Sequence, residues 1–158
     1  MQKITPFLWF NGQAEEAMNF YTSIFKNSKA GTVSRYGDAG PGPKGSVMTA
    51  NFELDGQAFV ALNGGPAYSF TPAISFVVNC DTQQEIDDYW DKLSAGGKEI
   101  ECGWLTDQFG LSWQIVPKAL GQLMTGPNAN RVMTALLKMK KLDIAQLRAA
   151  AEGQLATP

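Results

Sequence analysis

Histidine is absent from the 158 residues, so the commonest general base and the commonest metal ligand are both missing. What remains for chemistry is two thiols, some carboxylates on strand-like stretches, and a few neutral amides and hydroxyls. Cys102 has neither a histidine to activate it nor an adjacent lysine, so an incidental, structural thiol is expected. Cys80, at the end of a predicted strand, is a weaker nucleophile still. Asp107 stands in the run Asp107-Gln108-Phe109-Gly110, where aspartate commonly bonds its own backbone. Glu53, Glu99 and Glu101 fall on predicted strands. Each is readable as a carboxylate base or as the solvent-facing member of an alternating strand. Asn63, Ser75, Ser112 and Gln114 complete the set of neutral polar groups that strands would present.

These residues need a scaffold of strands with two helices. A strand is predicted over 4–10, with Pro6 near its start. Asn11 is expected to cap a helix carrying Glu15 and Glu16 in its first turns, with Ala14, Ala17, Met18, Tyr21 and Phe25 on its apolar face. Strands near 30–37, 46–54 and 57–63 follow. A Gly/Pro-rich loop, Gly37 to Gly45, separates the first two, and the hairpin pair Asp55-Gly56 joins the last two. The order then recurs. A strand over 73–79 precedes a helix over 82–95, opened by Asp81 or Thr82 with Glu85 placed for a capping box and closed by Gly96-Gly97. Ile86, Tyr89, Trp90 and Leu93 form its buried face, and short strands are predicted over 98–101, 102–106 and 111–116.

The chain therefore reads β-α-β-β-β twice, with a break between about 1–66 and 67–117. From 118 to 158 a helical tail is predicted, with helices near 117–124, 128–140 and 143–152 and Asp143 as the last cap. Val132, Met133, Leu136, Leu137 and Met139 make this tail too apolar to stand in water. It either covers the sheet or packs on a second subunit, and a homodimer is the expectation.

Composition removes several classes of function. Thirteen basic and fifteen acidic residues give a net charge of −2, with no basic stripe for nucleic acid. Lys138, Lys140 and Lys141 cluster where a helix end favours cations. No stretch suits a signal peptide or a membrane span. Two cysteines with no C-x-x-C spacing fit a reduced, cytoplasmic protein.

Several motifs carry a family resemblance. They are Phe10-Asn11-Gly12-Gln13-Ala14-Glu15-Glu16-Ala17 with Phe20-Tyr21, Leu62-Asn63-Gly64-Gly65-Pro66, the run from Cys102-Gly103-Trp104 to Pro117, and Lys138-Met139-Lys140-Lys141-Leu142-Asp143-Ile144. Together they resemble the PhnB-like branch of the vicinal oxygen chelate superfamily, which includes glyoxalases, bleomycin-resistance proteins and extradiol dioxygenases. The resemblance covers almost the whole chain and is most specific from Cys102 to Pro117. It implies an α+β fold of two βαβββ modules, curled as half-barrels around a cavity, plus the helical tail. Metal-using members place ligands at positions matching approximately Thr5 (or Pro6), Ala61, Ala73 and Gln114. Two alanines, a threonine and one glutamine cannot hold a catalytic divalent ion, so no metal or other cofactor is expected.

Alternation then assigns the residues facing such a cavity. Thr5, Phe7 and Trp9 are placed inward, as are Phe59, Ala61 and Asn63, then Ala73, Ser75 and Val77, and finally Ser112, Gln114 and Val116. The expected ligand-binding set is Phe7, Trp9, Phe59, Asn63, Ser75, Ser112 and Gln114, with Trp104 at the rim. Apolar walls with a few polar anchors suit a small molecule. The alternative is a collapsed interior filled by Phe7, Trp9 and Phe59. Two functions follow. One is a metal-free, small-molecule-binding protein of the glyoxalase/bleomycin-resistance type. The other is an enzyme on a small aromatic or carbonyl substrate, with Gln114 and Asn63 polarising an oxygen and Glu53 or Glu101 moving a proton. Some members of the branch carry a ubiquinone-pathway methyltransferase label, yet the sequence has no Gly-rich strand-to-helix loop for S-adenosylmethionine.

Overall fold

The computed structural model describes residues 2–153. The chain divides between Phe70 and Thr71 into two compact units. Each holds one four-stranded mixed sheet and one long helix, and neither sheet closes into a barrel. The class is α+β, as the sequence predicts.

The first unit contains β1 (Phe7–Phe10), α1 (Ala14–Ile24), β2 (Ser28–Arg35), β3 (Val47–Leu54) and β4 (Gln57–Asn63), in the sheet order β1-β4-β3-β2. β1 is shorter than expected. Pro6 has no N–H to give the ladder, although its carbonyl accepts from Val60 N at 3.0 Å. The Asp55-Gly56 turn forms as predicted, with both residues at positive φ (49° and 79°).

α1 does not start at Asn11. Gly12 turns the chain at φ 86°, and Gln13 occupies the cap position with no side-chain cap bond. The helix's first amide, Ala14 N, is instead held at 2.9 Å by Asn63 Oδ1 from the end of β4. The cap is thus tertiary, from a residue far along the chain. α1 buries Ala14, Ala17, Met18, Tyr21 and Ile24. Tyr21 stacks on Phe52 of β3 (ring centroids 6.0 Å), and Phe52 stacks on Phe59 of β4 at 5.4 Å.

The second unit repeats the connectivity: β5 (Ser75–Cys80), α2 (Gln83–Ser94), β6 (Lys98–Glu99), β7 (Trp104–Thr106) and β8 (Ser112–Pro117), in the order β5-β8-β7-β6. α2 is capped by Thr82, whose Oγ1 accepts from Glu85 N at 3.1 Å. Ile86, Trp90 and Leu93 are buried, as are Leu105, Trp113 and Ile115 of the sheet, while Tyr89 stays half-buried. Trp90 Nε1 donates to Glu99 Oε1 at 2.8 Å, so this strand carboxylate anchors the helix.

The two predicted strands over 98–106 are shorter because Cys102 (φ 62°) and Gly103 (φ 84°) leave the extended region. Their amides donate to Met139 O and Lys140 O of the tail, both at 2.8 Å. A Cβ on Gly103 would stand 3.0 Å from Ile115 O and from the Leu142 side chain. The glycine therefore lets the tail close on the strand.

The tail belongs to this second unit. α3 (Leu120–Leu123), α4 (Ala129–Leu137) and α5 (Ile144–Ala151) are shorter than predicted. β8 runs on through Pro117, and the residues after Leu137 turn away to receive Cys102 and Gly103. Val132, Met139, Leu142 and Leu147 pack with Val116 of β8. Asp143 caps α5 as expected, accepting from Gln146 N at 3.0 Å. Gln83 of α2 ties the tail down. Its Oε1 accepts from Ile144 N (2.8 Å), and its Nε2 donates to Leu142 O and Asp87 Oδ1 (both 3.0 Å). Lys141 adds a 3.0 Å ion pair to Asp87.

Between β7 and β8, the buried Asp107 carboxylate organises the turn. Its Oδ1 accepts from Phe109 N (2.9 Å) and Leu111 N (3.0 Å), and its Oδ2 accepts from Trp113 Nε1 (2.9 Å). Asp107→Asn turns one acceptor into a donor facing these N–H groups. It should destabilise the fold by about 2–4 kcal/mol, since bonds to a charged acceptor contribute about 1.5–3 kcal/mol each. Denaturant unfolding followed by tryptophan emission measures this, and a loss below about 0.5 kcal/mol would remove Asp107 from the account.

Candidate ligand site

Register decides which residues share a face. In the first sheet Phe7 pairs with Val60 and Trp9 with Leu62, while Leu8 pairs with Ala61 and Phe10 with Asn63. The face turned away from α1 thus carries Phe7, Trp9, Val60 and Leu62. Phe59, Ala61 and Asn63 lie on the opposite, helix-covered face, which corrects the expected inward placement of all three. Phe59 is core, stacked on Phe52. Asn63 is committed to protein partners. Its Oδ1 holds Ala14 N, its Nδ2 donates to Val47 O at 3.1 Å, and its own carbonyl accepts from Tyr36 Oη at 2.5 Å.

The parity was legible. The tight Asp55-Gly56 turn pairs Leu54 with Gln57, which sets Phe59 opposite Phe52 and Ala61 opposite Ala50. Val60 and Leu62 were missed for that reason.

Trp9 is half-buried. Its indole lies on Gly64, where a Cβ would fall 2.4 Å from the ring, and its Nε1 donates to Gly65 O at 2.9 Å. Tyr68 meets it edge-on at 4.9 Å. The Asn63-Gly64-Gly65 motif is therefore a seat for Trp9 and a cap for α1. Phe7, 60% exposed, is open apolar surface.

In the second sheet the expected set does converge. Ser75 pairs with Ser112, Val77 with Gln114, and Gln114 with Trp104. Ser75, Val77, Trp104, Ser112 and Gln114 share the face turned away from Trp113 and Ile115. Thr106, the partner of Ser112 across the Asp107 turn, joins them and was missed by the sequence reading. Lys98 follows on the edge strand, exposed. Ala73 precedes β5 and is exposed.

Gln114 Nε2 donates to Ser75 Oγ at 2.9 Å. Ser112 is 0% exposed, and its hydroxyl is the single buried side-chain polar atom among the described residues with no hydrogen-bond partner. A buried hydroxyl without a partner is rare enough to need a reason.

A divalent metal does not fit. Thr5 is exposed and lies outside β1, and Ala61 and Ala73 have no donor atom, which leaves the single neutral oxygen of Gln114, too few donors for a divalent ion. Among the described residues no three His, Cys, Asp or Glu side chains are grouped to hold an ion.

Residues 2–116 match the family model described as 3-demethylubiquinone-9 3-methyltransferase. A Bacillus cereus protein bearing that description and the name PhnB is 44% identical, over 73% of this chain and 99% of its own, with a TM-score of 0.67. The chain belongs to this PhnB-like family, a branch of the vicinal oxygen chelate superfamily. Protein PA1353 of Pseudomonas aeruginosa is 25% identical over 75% of this chain and 98% of its own, with a TM-score of 0.63. The fosfomycin resistance protein FosX of Listeria monocytogenes shares the fold at 15% identity (TM-score 0.57, 77% of this chain and 94% of its own). No curated protein matches.

S-Adenosylmethionine, which the family's description implies, does not fit the strand-to-helix connections of this PhnB-like chain. The first ends in an amide already held by Asn63, and the second carries Asp81 and a Thr82 cap rather than a glycine cradle. Of the two free thiols, Cys80 is buried and Cys102 half-buried. Burial first, then Glu85 and Asp81, push the Cys80 thiol up from 9.0 to about 12. Because the folded value is raised, stability held by the protonated thiol is complete below pH 9 and is lost as pH rises from 9.0 toward about 12. Cys80→Ala should flatten the alkaline loss of stability in that window, measured by urea unfolding at stepped pH. An unchanged slope would contradict the assignment.

Proposed function

We propose that this PhnB-like chain binds a small neutral molecule with an aromatic or apolar body and a carbonyl or hydroxyl group. The proposed site is the Ser75–Gln114–Ser112 face of its second unit, and it works without a metal. The observation that carries this reading is the buried, unpartnered Ser112 hydroxyl beside Gln114 and Ser75. After the Ser75–Gln114 bond, one donor on Ser75, one N–H and the carbonyl of Gln114, and the whole Ser112 hydroxyl remain to be satisfied. Ser75 and Gln114, both half-buried, offer uncharged donors and acceptors side by side, suited to a ligand oxygen that both accepts and donates, with the Ser112 hydroxyl buried beside them. Trp104 and Val77 flank them with apolar surface for the rest of the molecule.

Binding is favoured over catalysis by the absence of a carboxylate from the paired positions of this face. Lys98 stands at the exposed edge. Glu99 is committed to Trp90, Glu53 lies 3.7 Å from Lys29 on the first sheet, and Glu101 is exposed outside the strands. The protein is further proposed to be a cytoplasmic homodimer. Both cysteines are free thiols, and α4 leaves Met133 and Leu137 in water. No helix among the described residues is long and apolar enough to cross a membrane.

The test separates a site from a packing fault. Ser112→Ala removes an unsatisfied buried hydroxyl, so the ligand-free protein should gain about 1–3 kcal/mol in urea unfolding. The same change should weaken binding of neutral aromatic ketones and phenols, read by shifts of the Gln114 side-chain amide in NMR titration. A variant that is destabilised, or that binds these probes unchanged, would contradict the reading.

A further inference from the structure

A cleft lies in the same unit where the carboxyl ends of β5 and β8 meet α3 and α5. It measures about 440 Å³. Cys80, Pro117, Leu123 and Ile144 give it an apolar floor, and Cys80 and Pro117 are register partners at the strand ends. Gln114 and Ser112 stand on the other face of β8, as strand alternation requires. The family match ends at residue 116, so most of this wall is built by the tail.

The charges on the wall do not balance. Asp81 and Lys118 face each other at 3.9 Å and offset one another. Arg148, on the second turn of α5, lines the cleft and has no ion pair or side-chain hydrogen bond among the described residues. One guanidinium, on an exposed residue of the cleft wall, is thus left unpaired beside an apolar floor. That geometry favours a carboxylate, which it can take with two parallel bonds, over a neutral head group.

We propose that this cleft is a second binding site, for a small amphipathic monocarboxylate. The alkyl or aryl body lies against Leu123, Ile144 and Pro117, and the carboxylate meets Arg148. The Cys80 thiol takes part only as floor.

Octanoate and 1-octanol are the probes, titrated into the full chain and followed by backbone amide NMR. Octanoate should give saturable shifts at Leu123, Ile144 and Arg148, and octanol should bind at least about tenfold more weakly. Arg148→Met keeps the exposed side chain's bulk and should weaken octanoate about tenfold, the worth of one charge-assisted contact. Gln122→Trp, an exposed α3 position on the cleft wall, should block both probes. Equal binding of octanol and octanoate, or an unaffected Arg148→Met, would overturn the carboxylate assignment. Shifts confined to Gln114, Ser112 and Trp104 would overturn the second site while leaving the first intact.

Discussion

The carboxylate of Asp107 is the constraint on which the rest of the second unit depends. Three N–H groups from three different residues converge on it, two from the turn and one from the indole of Trp113. Because the group is buried, its oxygens depend on those donors to replace the water they have lost. They hold the turn between β7 and β8 in one register. Thr106 then falls opposite Ser112, Leu105 opposite Trp113, and Trp104 opposite Gln114. A slip of one residue would exchange the two faces, sending Trp113 outward and Ser112 and Gln114 toward α2. The identity of the polar face is therefore set by a group that is not on it.

The two units share connectivity and sheet order but use their polar residues differently. In the first, Asn63 caps α1 and braces Val47, while Gly64 and Gly65 seat Trp9. Polar groups that resemble site residues in the sequence are consumed by the scaffold there. In the second, α2 is capped locally by Thr82, and Trp90 is held by Glu99 at the sheet edge. No residue of the face opposite α2 is needed for either task. Ser112 is left with an unsatisfied hydroxyl, a local destabilisation of the kind that binding sites retain.

Much of this was legible in the sequence, because hydrophobic period and turn chemistry act locally. The repeated βαβββ order, the Asp55-Gly56 hairpin, the Thr82 and Asp143 caps and the turn role of Asp107 all follow from neighbours in the chain. The Ser75–Gln114 face was legible too, since β8 alternates cleanly and its start is fixed by the turn. What failed required long-range information. Asn11 looked like a cap until Asn63, distant in sequence, took the first amide of α1. Phe59, Ala61 and Asn63 were assigned to the wrong face because the first strand's alternation was carried to β4 without using the hairpin register. The tail's cleft had no sequence signal at all, for it is made by strand ends and helices that meet only in the fold.

The proposed function requires the chain to hold a neutral molecule on an uncharged polar face without a metal. Native mass spectrometry of protein freshly purified from its source tests this directly, since it reports metal, bound small molecule and subunit number together. The expected result is a dimer that carries no stoichiometric metal and releases a neutral aromatic or carbonyl-bearing molecule on mild activation. About one divalent ion per chain that survives dialysis against a chelator would contradict it.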